Sequence, residues 1–340
     1  MNLVVTGGAG FIGSHFIRYW LSGHRDDHII NYDALTYAGN LENLRDVEAN
    51  PNYEFVHGDI CDREKVFDVT QRADLMVHFA AESHVDRSIM DSAVFIRTNV
   101  QGTQTLLEAA KTFKKRFHHV STDEVFGALG PQDPPFSEKT PYAPRSPYAA
   151  SKAAADHLVR AYYHTYGLEI SISNCSNNYG PFMFPEKIIP LFISHLSEGK
   201  KVPVYGDGGQ IRDWIHVDDH SRGIEAILER GKIGETYCLG GAHEMSNLEL
   251  TKKLIALMGK DETSIEFVRD RPGHDRRYAI DFSKAKKELG WEPRIDFDEG
   301  LAAMVGWYAE HGDWVARCKS GAYREYYDRW YYGQGRHSSH

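Results

Sequence analysis

The sequence predicts an α/β protein built on a doubly wound parallel sheet, with a smaller C-terminal lobe. Three observations predict it. Short apolar runs alternate with helical patterns through the first half of the chain, the rhythm that makes a parallel sheet with helices on both faces. A glycine-rich turn, Gly7-Gly8-Ala9-Gly10-Phe11-Ile12-Gly13, separates the first run from the first helical pattern, as in Rossmann-type sheets. The length, 340 residues, accommodates such a sheet plus a second lobe.

In chain order, strand-like runs lie at 3–6, 28–32, 54–57, 75–80, 117–121 and 169–174, with helical patterns at 12–22, 63–71, 93–112 and 148–166 between them. After about residue 175 the rhythm changes. Helical patterns follow near 187–198, 217–230, 246–258, 283–289 and 298–310, with short strands near 202–205, 236–239 and 264–268. Gly206-Asp207-Gly208-Gly209 and Arg271-Pro272-Gly273 punctuate the joins. The expected division is a dinucleotide-binding sheet over 1–175, a lobe mainly over 176–315 with the chain crossing back near 214–240, and a tail over 316–340 that follows no pattern.

Composition narrows the function. At 41% hydrophobic and 26% charged residues the chain has ordinary globular composition. A net charge of -9 argues against a broad nucleic-acid surface, so an anionic ligand has to be met by local donors. No apolar stretch is long enough to span a membrane, and Leu3-Val4-Val5 reads as a strand rather than a leader. The four cysteines, Cys61, Cys175, Cys238 and Cys318, form no C-x-x-C pair; reduced thiols in a cytoplasmic protein are expected.

The glycine turn satisfies G-x-G-x-x-G through Gly8, Gly10 and Gly13, and G-x-x-G-x-x-G through Gly7, Gly10 and Gly13. Such glycines let the backbone approach a pyrophosphate at a helix N-terminus. Asp33 stands 20 residues beyond Gly13, where the second strand ends. A carboxylate there accepts from ribose hydroxyls and repels a 2′-phosphate, which favours NAD over NADP. Asp59-Ile60 follows the third strand and could meet the adenine edge, with helix capping as a rival role for Asp59. Ala80 and Ala81 follow the fourth, where small residues let a cofactor lie close.

Tyr148 and Lys152 open a helix four residues apart and share a face. A neighbouring ammonium is expected to lower the phenol towards neutrality, so that Tyr148 takes a proton from an alcohol while a nicotinamide takes the hydride. Ser121 or Thr122 can hydrogen-bond the same alcohol. The adjacent Asp123 and Glu124 are the extra element. Dehydration needs a base for a carbon-bound proton and an acid for the departing hydroxide; two close carboxyls raise one another, so that one stays protonated.

These stretches, with Leu35-Thr36-Tyr37-Ala38-Gly39-Asn40, Glu82-Ser83-His84-Val85-Asp86-Arg87-Ser88, Cys175-Ser176-Asn177-Asn178-Tyr179-Gly180-Pro181, Pro185-Glu186-Lys187, Arg212-Asp213-Trp214 and the run from Arg271 to Tyr278, resemble the extended short-chain dehydrogenase/reductases and, among them, the dTDP-glucose 4,6-dehydratase family. The resemblance covers about residues 1–315. It implies an NAD-dependent lyase in which Tyr148 deprotonates the sugar 4-hydroxyl with Lys152 and Thr122 assisting, Glu124 removes the C5 proton and Asp123 protonates the departing 6-hydroxyl. It implies cofactor contacts from Gly7, Gly10, Phe11, Ile12, Gly13, Asp33, Leu35, Thr36, Asp59, Ile60, Ala80, Ala81, Ser83, Thr98, Tyr148, Lys152 and Asn178. For the dTDP-glucose substrate it implies Ser83, Thr122, Asp123, Glu124, Asn177, Lys187, Ile188, Pro203, Val204, Tyr205, Arg212, Asn247, Arg271 and His274. It also implies a homodimer packed through the helices of 93–112 and 148–166. Phe126, where the family more often has Tyr, and Ala34, in place of a common Lys, are small departures.

The rival readings are a nucleotide-sugar 4-epimerase, which shares NAD, Tyr148 and Lys152 but has no use for Asp123 and Glu124; a dehydratase for GDP-mannose or a UDP-hexosamine; and a catalytically silent NAD-binding sensor. No metal site is expected. His216-Val217-Asp218-Asp219-His220 has H-x-x-x-H spacing, yet its acidic residues suit a helix first turn.

Overall fold

Six strands and the helices between them make the N-terminal half of the computed structural model, which describes residues 1–270 and 273–320. The strands are β1 (Asn2–Thr6), β2 (His28–Asp33), β3 (Tyr53–His57), β4 (Leu75–His78), β5 (Arg116–Thr122) and β6 (Ile170–Cys175). The helices are α1 (Phe11–Gly23), α2 (Arg63–Gln71), α3 (Val85–Met90), α4 (Ala93–Phe95), α5 (Thr103–Phe113) and α6 (Pro147–Tyr166). The second half adds β7 (Asn177–Tyr179), α7 (Ile188–Ser197), β8 (Val202–Tyr205), β9 (Ile211–His216), α8 (Val217–Arg230), β10 (Thr236–Leu239), β11 (Glu244–Ser246), α9 (Asn247–Leu257), β12 (Ile265–Val268), α10 (Ser283–Leu289), α11 (Phe297–Glu310) and α12 (Gly312–Cys318).

The main sheet has seven parallel strands in the order β10-β6-β5-β4-β1-β2-β3. The order reverses between β1 and β4, and the crevice at such a reversal is where α/β sheets bind ligands. Both faces of the sheet are covered. Leu3 and Val5 pack with Phe16, Trp20, Ile224, Ile227 and Trp291 on one side. Val4, between them, packs with Val66, Leu106, Leu107 and Val159 on the other. Alternating side chains of one strand therefore enter two cores, which is why β1 is apolar throughout. Strand β10 joins the sheet beside β6, with Cys238 opposite Asn174, and α8 packs against α1.

The rest of the second half packs around a third core of Ile189, Phe192, Trp214, Leu250, Leu254, Leu301 and Met304. Here β9 lies between β7 and the antiparallel β11, and β8 pairs with β12. Strands β7, β9 and β11 and helices α3 and α12 were not legible in the sequence: each strand is short or interrupted by polar residues, and α3 falls within a motif read for its chemistry.

Local signals explain where the functional helices start. Ser146 caps α6 by accepting the Ala149 N–H at 3.1 Å, with Pro147 in the first turn. Helix α1 has Gly10 at its N-cap and no side-chain cap, which leaves its first amides available to a ligand. The stretch 93–112, expected as one helix, contains a π-helical segment, Ile96–Gly102. Such segments often mark functional positions; this one carries Thr98 and Asn99.

Candidate active site

The carboxyl ends of the strands open onto a cavity of about 380 Å³. Its wall includes Gly7, Gly10, Phe11, Ile12 and Gly13 of the glycine turn, Asp33 and Thr36 after β2, Asp59 and Ile60 after β3, Ala80, Ala81 and Ser83 after β4, and Thr98 and Asn178. Thr122, Asp123, Glu124, Tyr148 and Lys152 line the same space. A second cavity of about 180 Å³ adjoins it and shares Glu124, Asn177, Glu186 and Lys187 with it. Ile188, Pro203, Val204, Tyr205, Arg212, Asn247 and His274 complete the second cavity. Leu35 is not part of either wall; its N–H donates to Asp33 Oδ1 at 2.8 Å, and its φ is 51°. Arg271 and residues 321–340 of the tail lie outside the described residues.

The glycine turn is shaped for close backbone approach. A Cβ on Gly13 would lie 2.4 Å from the Gly7 carbonyl oxygen, and one on Gly7 would lie 2.6 Å from the Ala80 nitrogen. Gly7 also has φ +74°, which side chains rarely adopt. Asp33 Oδ2 accepts the Ala9 N–H at 2.9 Å and so fixes the turn against the end of β2. The uncapped N-terminus of α1, the glycine cradle and a carboxylate after β2 together fit a dinucleotide. Asp59 does not cap α2, whose N-cap is Asp62; its Oδ1 accepts the Cys61 N–H at 2.8 Å in a turn, and it lines the cavity. Arg97, which the sequence did not single out, pairs with Asp59 at 2.7 Å and also lines the cavity.

Thr122 ends β5 and caps the short helical turn Asp123–Phe126, its Oγ1 accepting the Glu124 N–H at 3.3 Å. That geometry turns the two following carboxyls towards the cavities. Asp123 is 2% exposed. Burial, then Glu124 and Asp213, push its carboxyl well above the usual range, which favours its protonated form. Its Oδ2 has no hydrogen-bond partner among the described residues. Glu124 lines both cavities and so stands where they meet.

The Thr122 side chain lies beside Tyr148 and favours its ionised form. The expectation that Lys152 lowers Tyr148 is not met: burial, then the Glu124 charge, raise the phenol well above its ordinary value. Lys152 instead donates to the Val120 carbonyl at 2.8 Å, and its burial lowers the ammonium to about 8. Ser121 is likewise committed elsewhere, donating to Asp156 Oδ2 at 3.0 Å, which leaves Thr122 as the hydroxyl beside Tyr148. Asn99 ties this region together. It donates to Ser151 Oγ of α6 at 2.8 Å and to the Glu82 carbonyl at 3.0 Å.

In the second cavity, Lys187 donates to the Ser83 carbonyl at 3.1 Å. Arg212 is 7% exposed and lies over the Tyr278 ring at 4.3 Å. Two cations are thus brought together in a chain that is acidic overall. Glu186 is a wall residue of both cavities that had no assigned role; burial raises it to about 7, and Arg87 pairs with it at 3.2 Å. Its place in Pro185-Glu186-Lys187 was the available signal. Of the H-x-x-x-H pair, His216 caps α8 and His220 meets Asn178 Oδ1 at 2.9 Å, so the two imidazoles hold structure.

Comparison with known proteins agrees with this geometry. The model of the GDP-mannose 4,6 dehydratase family matches residues 4–304. The dTDP-glucose 4,6-dehydratase of Neisseria meningitidis serogroup B is 49% identical, over 95% of this chain and 97% of that protein. The crystal structure of DesIV, a dTDP-glucose 4,6-dehydratase from Streptomyces venezuelae with NAD bound, superposes with a TM-score of 0.92 at 50% identity, covering 94% of this chain and all (100%) of that one. A UDP-glucose 4-epimerase from Thermotoga maritima shares the fold at a TM-score of 0.84 but is only 30% identical over 91% of this chain and 99% of its own. The fold is therefore common to epimerases and dehydratases, and of these relatives the dehydratases share the higher identity. By sequence, by fold and by the residues at its strand ends, the chain belongs to the dTDP-glucose 4,6-dehydratase family of extended short-chain dehydrogenase/reductases.

Proposed function

We propose that this protein is an NAD-dependent hydro-lyase that converts dTDP-glucose to dTDP-4-keto-6-deoxyglucose and water. The observation that carries the reading is Asp123, a buried carboxyl that its surroundings raise, beside Glu124, where the two cavities meet. An epimerase has no use for an acid and a base there. NAD, held by the glycine turn, Asp33, Thr36, Asp59, Ile60, Ala80, Ala81, Thr98 and Asn178, supplies the hydride acceptor and donor.

Tyr148 takes the proton of the C4 hydroxyl, with Thr122 sharing its hydrogen bond. Burial disfavours the phenolate, and the Lys152 ammonium one helical turn away is the charge on α6 that would oppose this when Tyr148 acts as the base. Oxidation at C4 acidifies the C5 proton, which Glu124 removes. Asp123 gives its proton to the C6 hydroxyl as that group leaves as water. After hydride return to C6, Glu124 returns the proton to C5. Each turnover leaves one proton more on Tyr148 and one fewer on Asp123, and exchange with solvent restores both.

Lys187 and Arg212 would meet the diphosphate, where charge-assisted hydrogen bonds are strongest. Pro203, Val204 and Tyr205 form one wall for the base, and Ser83, Asn177, Asn247 and His274 surround the remaining polar groups. Arg271 belongs to this set on resemblance. We read the protein as a cytoplasmic homodimer. The support for the dimer is a group of exposed apolar side chains close in sequence, Ile89 and Met90 of α3 and Ile96 of the π-helical segment.

Incubation with dTDP-glucose should give a 4-keto product that absorbs in alkali. A galactose-configured product alone would refute the dehydratase reading in favour of an epimerase.

A further inference from the structure

Behind Lys152 lies a buried ionisable pair that the mechanism above does not use. His119 on β5 and Asp156 on α6 are both 0% exposed. Asp156 stands one helical turn after Lys152 and two after Tyr148, so all three share a face. Its Oδ2 accepts from Ser121 Oγ at 3.0 Å, Tyr142 Oη at 2.6 Å and Asn174 Nδ2 at 3.3 Å. Its Oδ1 lies 3.2 Å from His119 Nε2, and the same nitrogen lies 3.4 Å from Lys152 Nζ.

One imidazole nitrogen therefore faces a donor and an acceptor, and it can serve only one at a time. With Lys152 charged, the ammonium donates to a bare Nε2 and the ring proton sits on Nδ1. With Lys152 neutral, Nε2 can carry the proton towards Asp156. Nδ1 has no partner among the described residues, so no hydrogen bond locks either tautomer. Burial depresses Lys152, and Asp156 is the first of the charges that oppose it. Burial would raise the Asp156 carboxyl, but His119, Lys152 and Tyr142 outweigh it and hold Asp156 ionised.

We propose that Asp156 is the buried counter-ion that keeps Lys152 charged, with His119 Nε2 accepting from that ammonium, which makes both positioning residues for the Tyr148 base. The proposal rests on the reading of Tyr148 and Lys152 given above. The other groups facing the pair fit it. His78 on β4, its ring 5.2 Å from His119, is neutral because burial lowers it. Cys175 on β6 is neutral because burial raises its thiol to about 12. Arg160 on α6 opposes protonation of His119 and donates to the Tyr142 hydroxyl at 2.8 Å.

The test is the protonation of Lys152 itself, followed by NMR of ε-13C-lysine protein, with Lys152→Arg to assign the signal, alongside the pH profile of kcat. Removing a negative neighbour disfavours the ammonium. Asp156→Asn is therefore expected to move the Lys152 titration and the alkaline limb of kcat to lower pH by about one unit, a tenfold change in the protonation constant, with KM changed less than about twofold. His119→Leu should shift both in the same direction. His119→Gln should restore them, because its amide can accept from Lys152 and donate to Asp156 together. A Lys152 titration unmoved in Asp156→Asn and His119→Leu, or a loss of kcat uniform across pH, would overturn the proposal. If Asp156→Asn does not fold, the Leu and Gln pair at His119 decides. The NMR titration is read without turnover, so a wrong substrate reading leaves it intact.

Discussion

Trp314 of α12 donates its indole N–H to Asn43 Oδ1 at 3.0 Å, and Asn43 Nδ2 donates in turn to the Ala9 carbonyl of the glycine turn at 3.0 Å. The end of the described chain thus braces the turn that meets the cofactor. Trp314 is 4% exposed and packs edge-on to Phe182 and Trp307. Trp314→Ala should destabilise the fold by about 3–5 kcal/mol, as for other buried aromatic truncations, measured by denaturant unfolding. It should also lower NAD retained per protomer. Leu254→Ala, in the same core but remote from the turn, is the control. Equal NAD loss in both variants would show that Trp314 acts only through stability.

The burial of Asp123 makes stability depend on pH. Its folded value lies well above the ordinary 3.8, so the folded state binds a proton that the unfolded state releases. Stability from that group is complete below the unfolded value. It is lost as pH rises towards the folded one, at about 1.4 kcal/mol for each pH unit between the two. Asp123→Asn removes the loss. The variant should be more stable than the parent, by more at about pH 7.5 than at about pH 5, in thermal melts. A gain independent of pH would mean that the carboxyl is not buried neutral.

The acid pair separates elimination from oxidation. Asp123→Asn with Glu124→Gln should slow product formation by about 10²-fold or more, the range for loss of acid–base catalysis. Oxidation at C4 should survive, because Tyr148, Thr122 and Lys152 remain. Bound NAD should then be reduced on adding substrate, seen as the near-ultraviolet absorbance of NADH. Full turnover by the double variant would remove the pair from the mechanism.

Ile89, Met90 and Ile96, at 40%, 44% and 51% exposure, place three large apolar side chains on the surface within eight residues. Met90→Glu with Ile96→Glu should shift sedimentation from dimer to monomer at micromolar concentration. A parent that already sediments as a monomer would refute the dimer.

Much of the site was legible because its residues are neighbours in sequence or on one element. The glycine turn, Thr122-Asp123-Glu124 and the Tyr148–Lys152 spacing each sit within a few residues, so local backbone rules suffice to bring them together. Asp156 was open to the same logic, since it continues the helical spacing of Tyr148 and Lys152. His119, Glu186, Arg97 and Trp314 were not, because their partners lie on other elements and no local pattern encodes the pairing.

By itself the sequence determined the alternation of strands and helices, the glycine cradle and the spacing that puts the candidate reacting groups near one another, all consequences of short-range sterics and periodicity. Only the tertiary structure decided the electrostatics. Burial raises Asp123 and depresses Lys152, and it also raises Tyr148, the reverse of what the Tyr148–Lys152 spacing alone suggested for the phenol. The physical reason is that desolvation depends on what packs around a group from every side, and that surrounding is assembled from strands and helices far apart in the chain.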